Sequence, residues 1–194
     1  MKAVTLRTER LILRPWTAAD RAPFAAMNAD PEVRRFFPSL QTRAESDASA
    51  DFLSSQFART PYGPWAVEVP GTVEFAGFVG LWETAPDVRH QGPVEIGWRL
   101  ARDCWGKGYA TEAARAALDF VFREKLLDAV VAFVAPANLA SRSVMDRIGL
   151  REDPAGAFDH PRVPEGHKLR RHLLYRGARA DWAMPVTTPY TVLS

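Results

Sequence analysis

The segment WGKGYATEAARAALDFVF, residues 105–122, carries the strongest structural signal in this 194-residue chain. Two glycines, Gly106 and Gly108, flank Lys107, and from Tyr109 onward the apolar residues recur with the three- and four-residue spacing of an amphipathic helix. A glycine turn that opens a helix gathers backbone N–H groups without internal partners at the positive end of the helix dipole. The turn therefore predicts either a site for a phosphate-bearing ligand or only a tight corner.

The spacing within the turn excludes two common nucleotide motifs. It lacks the GxxxxGK[ST] spacing of the P-loop, and the third glycine of the dinucleotide fingerprint is absent.

Downstream, AVVAFVA at 129–135 predicts a central strand, and Asn138 is the expected N-cap of a second helix that stops at Gly149. If the strands at 94–100 and 129–135 separate at their ends, a long ligand lies between them.

The remaining periodicity predicts one α+β domain over residues 1–194, with helices on the faces of a mixed sheet. Strands are expected at 11–16, 65–69, 74–82, 94–100, 129–135 and 169–175, after a polar loop through 165. Helices are expected at about 17–28, 43–59, 109–122 and 138–148. Thr17 and Asp20 resemble a capping box at the start of the first helix.

Composition and charge limit the class of protein. The chain is 47% hydrophobic and 25% charged with a net charge of +2, which is ordinary for a globular protein and predicts no nucleic-acid partner. The N-terminus shows no signal-peptide h-region, and no apolar run reaches the about 18 residues of a membrane helix. A single cysteine, Cys104, suits a reducing compartment. We therefore expect a cytoplasmic protein that does not enter a membrane.

The joint pattern of WGKGYATEA, the Val-rich strand and PANLASRSVMDRIGL at 136–150 resembles the GNAT acyltransferase superfamily. With the opening ERLILRPWTAAD at 9–20, the chain is most similar to the branch that contains the RimJ/RimL-type ribosomal-protein N-terminal acetyltransferases. The resemblance runs from about residue 6 to residue 181. It implies the GNAT fold, a mostly antiparallel mixed sheet of six to seven strands with about four helices and strands splayed at the acetyl-CoA site.

The resemblance implies acetyl-CoA as co-substrate, with its diphosphate on the main-chain N–H groups of the turn. In the family pattern a Gln or Arg opens the turn, where this chain has Trp105, and glycine and Gly/Ala follow at Gly108 and Ala110. Trp is usual at the first position in the RimJ/RimL-type branch. The expected coenzyme-binding residues are Leu100, Trp105, Gly106, Lys107, Gly108, Tyr109, Ala110 and Asn138.

Acetyl transfer to an amine needs a proton acceptor, because a primary amine with a pKa of about 10 is mostly charged at pH 7. Glu95 is the candidate, since it is an acid within an apolar strand beside the expected thioester, where burial raises a carboxyl pKa. The alternative is that Glu95 points to solvent or accepts a structural hydrogen bond.

The candidate proton donor for the departing thiolate is Ser141, because Met145 occupies the position where many GNAT members have a tyrosine. Ser141 could equally satisfy a backbone N–H at the helix start. Tyr175 is a second option, and a thiolate with a pKa of about 8.5 can also depart without an acid.

Trp82 and Trp98 lie on the strands expected to border the acceptor amine, and His160, His167 and His172 either line that pocket or belong to an ordinary polar loop. Their spacing favours no metal site. The acceptor is expected to be a protein N-terminal α-amine or a small-molecule amine. The alternatives are a catalytically silent acyl-CoA sensor and, less favoured, a nucleotide-binding protein; a homodimer through the last strands stays open.

Overall fold

The computed structural model describes residues 3–88, 91–124, 126–182 and 190–193. Within these ranges the helices are α1 (Arg21–Ala29), α2 (Pro31–Arg34), α3 (Arg43–Ser55), α4 (Tyr109–Arg123) and α5 (Leu139–Arg147). The strands are β1 (Thr5–Arg7), β2 (Ile12–Arg14), β3 (Pro64–Val69), β4 (Val73–Glu83), β5 (Val94–Leu100), β6 (Ala129–Val134), β7 (Arg151–Asp159), β8 (Arg171–Ala178) and β9 (Thr191–Leu193).

The nine strands of the described ranges form one sheet in the order β7-β8-β6-β5-β4-β3-β2-β1-β9. Strands β5 and β6 are parallel, and the other neighbouring pairs are antiparallel. This arrangement confirms the predicted α+β class and the mixed, mostly antiparallel sheet. The predicted counts were too low, since the described residues form nine strands and five helices.

The largest error lies between α5 and β8, where β7 occupies residues predicted to be a polar loop. Its sequence REDPAGAFD contains a proline and a glycine, which remove the alternating pattern that marks a strand. The pairing of β7 with β8 shifts between Asp153 and Phe158, so the strand tolerates these residues at a bulge on the sheet edge. Strands β1 and β9, each three residues long and with β9 at the other edge of the sheet, also carried too little pattern to predict.

The predicted helices begin close to where the sequence places them, and only the second one ends well before its predicted end. Thr17 and Asp20 form the expected capping box, which opens one 3₁₀ turn before α1. Thr42 and Glu45 form a second capping box at the start of α3. The helix predicted to reach residue 59 ends at Ser55 and is followed by a 3₁₀ turn. No described helix is both long enough and apolar enough to cross a membrane.

The sheet buries both of its faces, and the two faces have different neighbours. Helices α4 and α5 pack on one face, where the buried side chains of β5 and β6 are Val94, Ile96, Leu100, Val130, Ala132 and Val134. Helices α1 and α3 cover part of the other face, against Phe75 and Phe78 of β4. Because successive strand residues point to opposite faces, Glu95, Gly97 and Arg99 lie on the face away from α4.

Candidate active site

A cavity of about 680 Å³ opens where β5 and β6 separate. The two strands are in register at one residue pair, Glu95 with Val131, and residues beyond that pair on both strands line the cavity. The predicted splay is therefore present. The cavity is lined by almost all of the predicted site residues, namely Trp82, Glu95, Trp98, Leu100, Trp105, Gly106, Gly108, Tyr109, Ala110, Asn138 and Ser141. Lys107 is exposed and does not line it.

The glycine turn has the backbone conformation that its sequence predicts. Gly106 and Gly108 have φ angles of 73° and 80°, in the left-handed region that glycine enters without strain. Gly108 is the N-cap of α4, and the first intrahelical bond runs from the Glu112 N–H to the Gly108 carbonyl over 3.0 Å. The earlier N–H groups of the first turn, including those of Tyr109 and Ala110, therefore have no acceptor within the helix and are available to an anion.

A buried carboxylate, which the sequence analysis missed, fixes this turn to the N-terminal strands. Glu112 in the first turn of α4 accepts hydrogen bonds from the Thr8 hydroxyl at 2.7 Å, from the Arg10 backbone N–H at 3.0 Å and from Arg10 Nε at 2.7 Å. Arg10 Nη1 in turn donates to the Lys107 carbonyl over 2.9 Å. Arg10 thus joins Glu112 to the middle of the glycine turn and holds the turn open toward the cavity.

We expect Glu112→Ala to lower the free energy of unfolding by about 2–4 kcal/mol, because it leaves the buried Thr8 hydroxyl and the part-buried donors of Arg10 without their acceptor. For a domain of this size that is a fall in melting temperature of about 4–16 °C. The matched control is Glu124→Ala, at the exposed C-terminal end of the same helix, where a change of at most about 0.5 kcal/mol is expected. Equal melting temperatures for the two variants would contradict the proposed clamp.

Glu95, the predicted general base, has one hydrogen-bond donor beside it and a raised pKa. Its Oε2 accepts a hydrogen bond from the indole Nε1 of its cross-strand partner Trp82 at 3.2 Å. Burial raises the pKa of the Glu95 carboxyl to about 7, although the Trp82 hydrogen bond and the positive charge of Arg162 oppose the rise. At neutral pH a large fraction of Glu95 is therefore ionised and able to accept a proton.

The start of α5 confirms one prediction and separates two candidate proton donors. Asn138 is the N-cap, and its Oδ1 accepts from the Ser141 backbone N–H over 3.2 Å. Ser141 and the buried Met145 both line the cavity. Tyr175 does not line it, because its side chain is buried on the α4 face and its hydroxyl contacts Arg142 and Glu152.

The two tryptophans of the predicted acceptor site lie on opposite faces of the sheet. Trp82 lies over Gly97, where a Cβ atom would come within 2.6 Å of the indole. Trp82 therefore lies on the same face of the sheet as Glu95. Trp98 packs against the α4 side, although it also borders the cavity. Both tryptophans stay predictions for the acceptor site. The prediction for Trp82 has the stronger support, because Trp82 lies beside Glu95.

The late loop and β8 bring two of the three histidines into the cavity. The rings of His160 and His172 are 5.0 Å apart between centroids and line its wall, and burial lowers the pKa of each. His167 lies apart, with its Nδ1 accepting from the Leu169 N–H at 3.1 Å. Among the described residues, no group of three or more histidine, cysteine or acidic side chains is placed to hold a metal ion.

A sheet that splits between two parallel strands, a glycine turn opening a helix at the split and an acid beside it together match the acyltransferase arrangement that the sequence resemblance predicts. A family model described as the acetyltransferase (GNAT) domain matches residues 10–151. The chain therefore belongs to the GNAT acetyltransferase family, and the family predicted from the sequence is confirmed.

The chain is also similar to individual proteins. The chain is 34% identical over 148 residues to the uncharacterized protein YkkB of Bacillus subtilis, covering 75% of this chain and 84% of YkkB. It is 32% identical over 156 residues to the FsC-acetyl coenzyme A-N(2)-transacetylase of Aspergillus fumigatus, covering 75% of this chain and 64% of that protein. Mycobacterium smegmatis RimJ, solved with a coenzyme A disulfide, superposes with a TM-score of 0.69 at 25% identity, over 93% and 89% of the two chains.

Proposed function

We propose that this chain transfers an acetyl group from acetyl-CoA to a primary amine by direct attack in a ternary complex. The observation that carries the proposal is that Glu95, with a pKa of about 7, lines the same cavity as the glycine turn. Family membership supports acetyl-CoA as the donor, since GNAT acetyltransferases use it. The silent-sensor alternative gains no support from the comparisons, and a buried acid poised near neutrality counts against it.

The residues of the turn and of β5 fit coenzyme A. Acetyl-CoA supplies the acetyl group as a thioester. The N–H groups at the start of α4 would hold the diphosphate, because the positive φ angles of Gly106 and Gly108 bring them to one point. The β5 backbone beyond Glu95 would pair with the pantetheine arm, since β6 diverges from it there. Asn138 would contact the same arm from the start of α5.

The proton steps are assigned to two side chains. Glu95 would take the proton of the acceptor ammonium, directly or through water, and so produce the neutral amine that attacks the thioester carbonyl. Ser141 would donate a proton to the departing thiolate from the start of α5. A thiol with a pKa of about 8.5 is already a competent leaving group, so the contribution of Ser141 is expected to be the smaller one.

The acceptor would approach on the face of the sheet that carries Glu95 and Trp82. Two classes of acceptor are compatible with the relatives, a protein N-terminal α-amine and a small-molecule amine. RimJ belongs to the branch of N-terminal acetyltransferases that the sequence resembles, which favours a protein N-terminal α-amine as acceptor. The Aspergillus relative is named for acetyl transfer to an N(2) atom of FsC. The predicted cytoplasmic location and homodimer stay predictions.

The test of this proposal is the melting temperature with acetyl-CoA, with ATP and NAD as controls. A ligand at about 100 times its Kd adds about 2.7 kcal/mol, which corresponds to a rise of roughly 5–10 °C for a domain of this size. We expect that rise with acetyl-CoA alone, followed by product formation with a panel of amines. Absence of a shift at saturating acetyl-CoA would refute the proposal, and a shift without turnover of any amine would favour the sensor.

A further inference from the structure

A second charged residue of β5, Arg99, lines the cavity on the same face as Glu95 and has no acidic partner. Its Nη1 donates to the neutral Asn28 Oδ1 over 2.7 Å, and its Nε is buried with no hydrogen-bond acceptor. Among the described residues, no carboxylate lies within ion-pair distance of Arg99. A cation that is largely removed from water without a counter-charge is costly, so the position of Arg99 at a cavity wall requires an explanation.

Aromatic rings and a second cation complete the surroundings of Arg99. The guanidinium lies 4.2 Å from the centroid of Phe37 and 5.5 Å from that of Phe78. The guanidinium of Arg34 lies on Phe37 as well, at 4.4 Å, and so adds positive charge. Burial, together with the charge of Arg34, lowers the pKa of the Arg99 guanidinium to about 9, so that it remains a cation at neutral pH.

The acids near this end of the cavity are already paired or remote. Glu32 lines the cavity, but its carboxylate contacts Arg35 at 3.5 Å and is half exposed. Asp87 is likewise paired, because both of its carboxylate oxygens accept hydrogen bonds from Arg162, at 2.8 and 3.1 Å. Glu95 is held by Trp82, and Arg99 lies beside its own cross-strand partner, Phe78. The charge of Arg99 therefore has no partner within the described part of the chain.

We propose that the acceptor amine carries a carboxylate, which Arg99 binds while the amine lies at Glu95. This inference rests on the acetyl transfer proposed above and narrows its substrate class. Glu95 and Arg99 are four residues apart on one strand, so their Cα atoms are separated by about 13 Å. The partners of the two head groups on β4, Trp82 and Phe78, have ring centroids 6.2 Å apart, so one acceptor can reach both Glu95 and Arg99.

The test compares ω-amino acids with their neutral carboxamides of the same chain length, which lack the negative charge that Arg99 would bind. With protein saturated with coenzyme A, glycine, 6-aminohexanoate and 8-aminooctanoate are titrated against the matching amides, and binding is followed by melting temperature. With acetyl-CoA, kcat/KM is compared for the same pairs. We expect the acid whose length spans the two head groups to be favoured over its amide by about tenfold to a hundredfold, the range for hydrogen bonds to a charged group.

Variants separate recognition by Arg99 from a purely structural role. Arg99→Gln is expected to bring the acid-to-amide ratio near one, whereas Arg99→Lys retains part of it, because lysine keeps the charge but loses the planar fork. Arg151→Gln, an exposed arginine on β7 outside the cavity, is the control and keeps the full ratio. A structural role alone would lower the melting temperature and leave the ratio unchanged.

Two outcomes overturn the inference without touching the proposed function. One is equal binding and turnover of acid and amide in the unmodified protein. The other is that neither binds, while acetyl-CoA still raises the melting temperature. If acetyl-CoA itself produces no shift, the failure belongs to the proposed function.

Discussion

Replacement of Glu95 by glutamine is expected to lower kcat/KM for amine acetylation by about a hundredfold to ten-thousandfold, the usual contribution of a general base. The amide keeps the size and the hydrogen-bond acceptor of the carboxylate, so the contact with Trp82 Nε1 survives. It cannot accept the ammonium proton. The effect is measured in steady-state kinetics with the amine varied at saturating acetyl-CoA, and coenzyme binding, followed by melting temperature, is expected to stay unchanged.

The pH profile provides the specific signature of Glu95. Because the active base is the ionised form and its pKa is about 7, kcat/KM should rise with pH up to about 7 and then level off. The rising limb is expected to disappear in Glu95→Gln. The matched control is Glu74→Gln, an exposed acid on β4, which should preserve both rate and profile. Full activity in both Glu95→Gln and Ser141→Ala would show that the catalytic residues lie elsewhere.

Replacement of Gly108 by valine is expected to weaken coenzyme binding at least tenfold. Valine is strongly disfavoured at a φ of 80°, so the first turn of α4 must rearrange and its N–H groups no longer converge. A Cβ at this position would also approach Arg10 Nη2 to 3.4 Å, next to the clamp formed with Glu112. Gly108→Val is therefore expected to lose both the geometry of the glycine turn and the coenzyme binding that depends on it.

The chain offers a matched control for the strain at Gly108. Gly71, in the turn between β3 and β4, has a φ of 72°, and a Cβ added there would meet no atom within 4 Å. Gly71→Val is expected to lose stability without losing coenzyme. At a coenzyme A concentration of 100 times the original Kd, the stabilisation of about 2.7 kcal/mol persists in Gly71→Val and falls to about 1.4 kcal/mol or less in Gly108→Val. Equal ligand shifts in the two variants would show that the turn does not bind the coenzyme.

Local pattern was enough to predict the central part of the molecule. The periodicity after Tyr109 predicted α4, the Val-rich run predicted β6, and Asn138 was recognised as the N-cap of α5. Each of these signals resides in a few neighbouring residues, because helix periodicity, β-propensity and capping act over one or two turns of chain. The same dependence on local pattern explains why β7 was not predicted. Pro154 and Gly156 obscure its alternation, and only pairing with β8 makes it a strand.

The charges of the site could be predicted only in part. Glu95 stood out as an acid in an apolar strand. Arg99 did not, although the alternation of β5 places both on one face. Its significance depends on the absence of an acid in the space around it, which Asn28, Phe37 and Phe78 occupy. These neighbours come from α1, from the segment after α2 and from β4, so no local window of sequence brings them together.

The family, the glycine turn, the helix that follows it and the acid of β5 could all be predicted from the sequence, because they depend on residue type and short spacing. How the turn is held and how the charges behave depends instead on the tertiary structure. The bond between Arg10 and Glu112 spans 102 positions of the chain. The raised pKa of Glu95 and the lowered pKa of Arg99 come from burial by other elements. Burial and charge pairing are properties of the assembled sheet and its helices, and they arise only when distant segments meet.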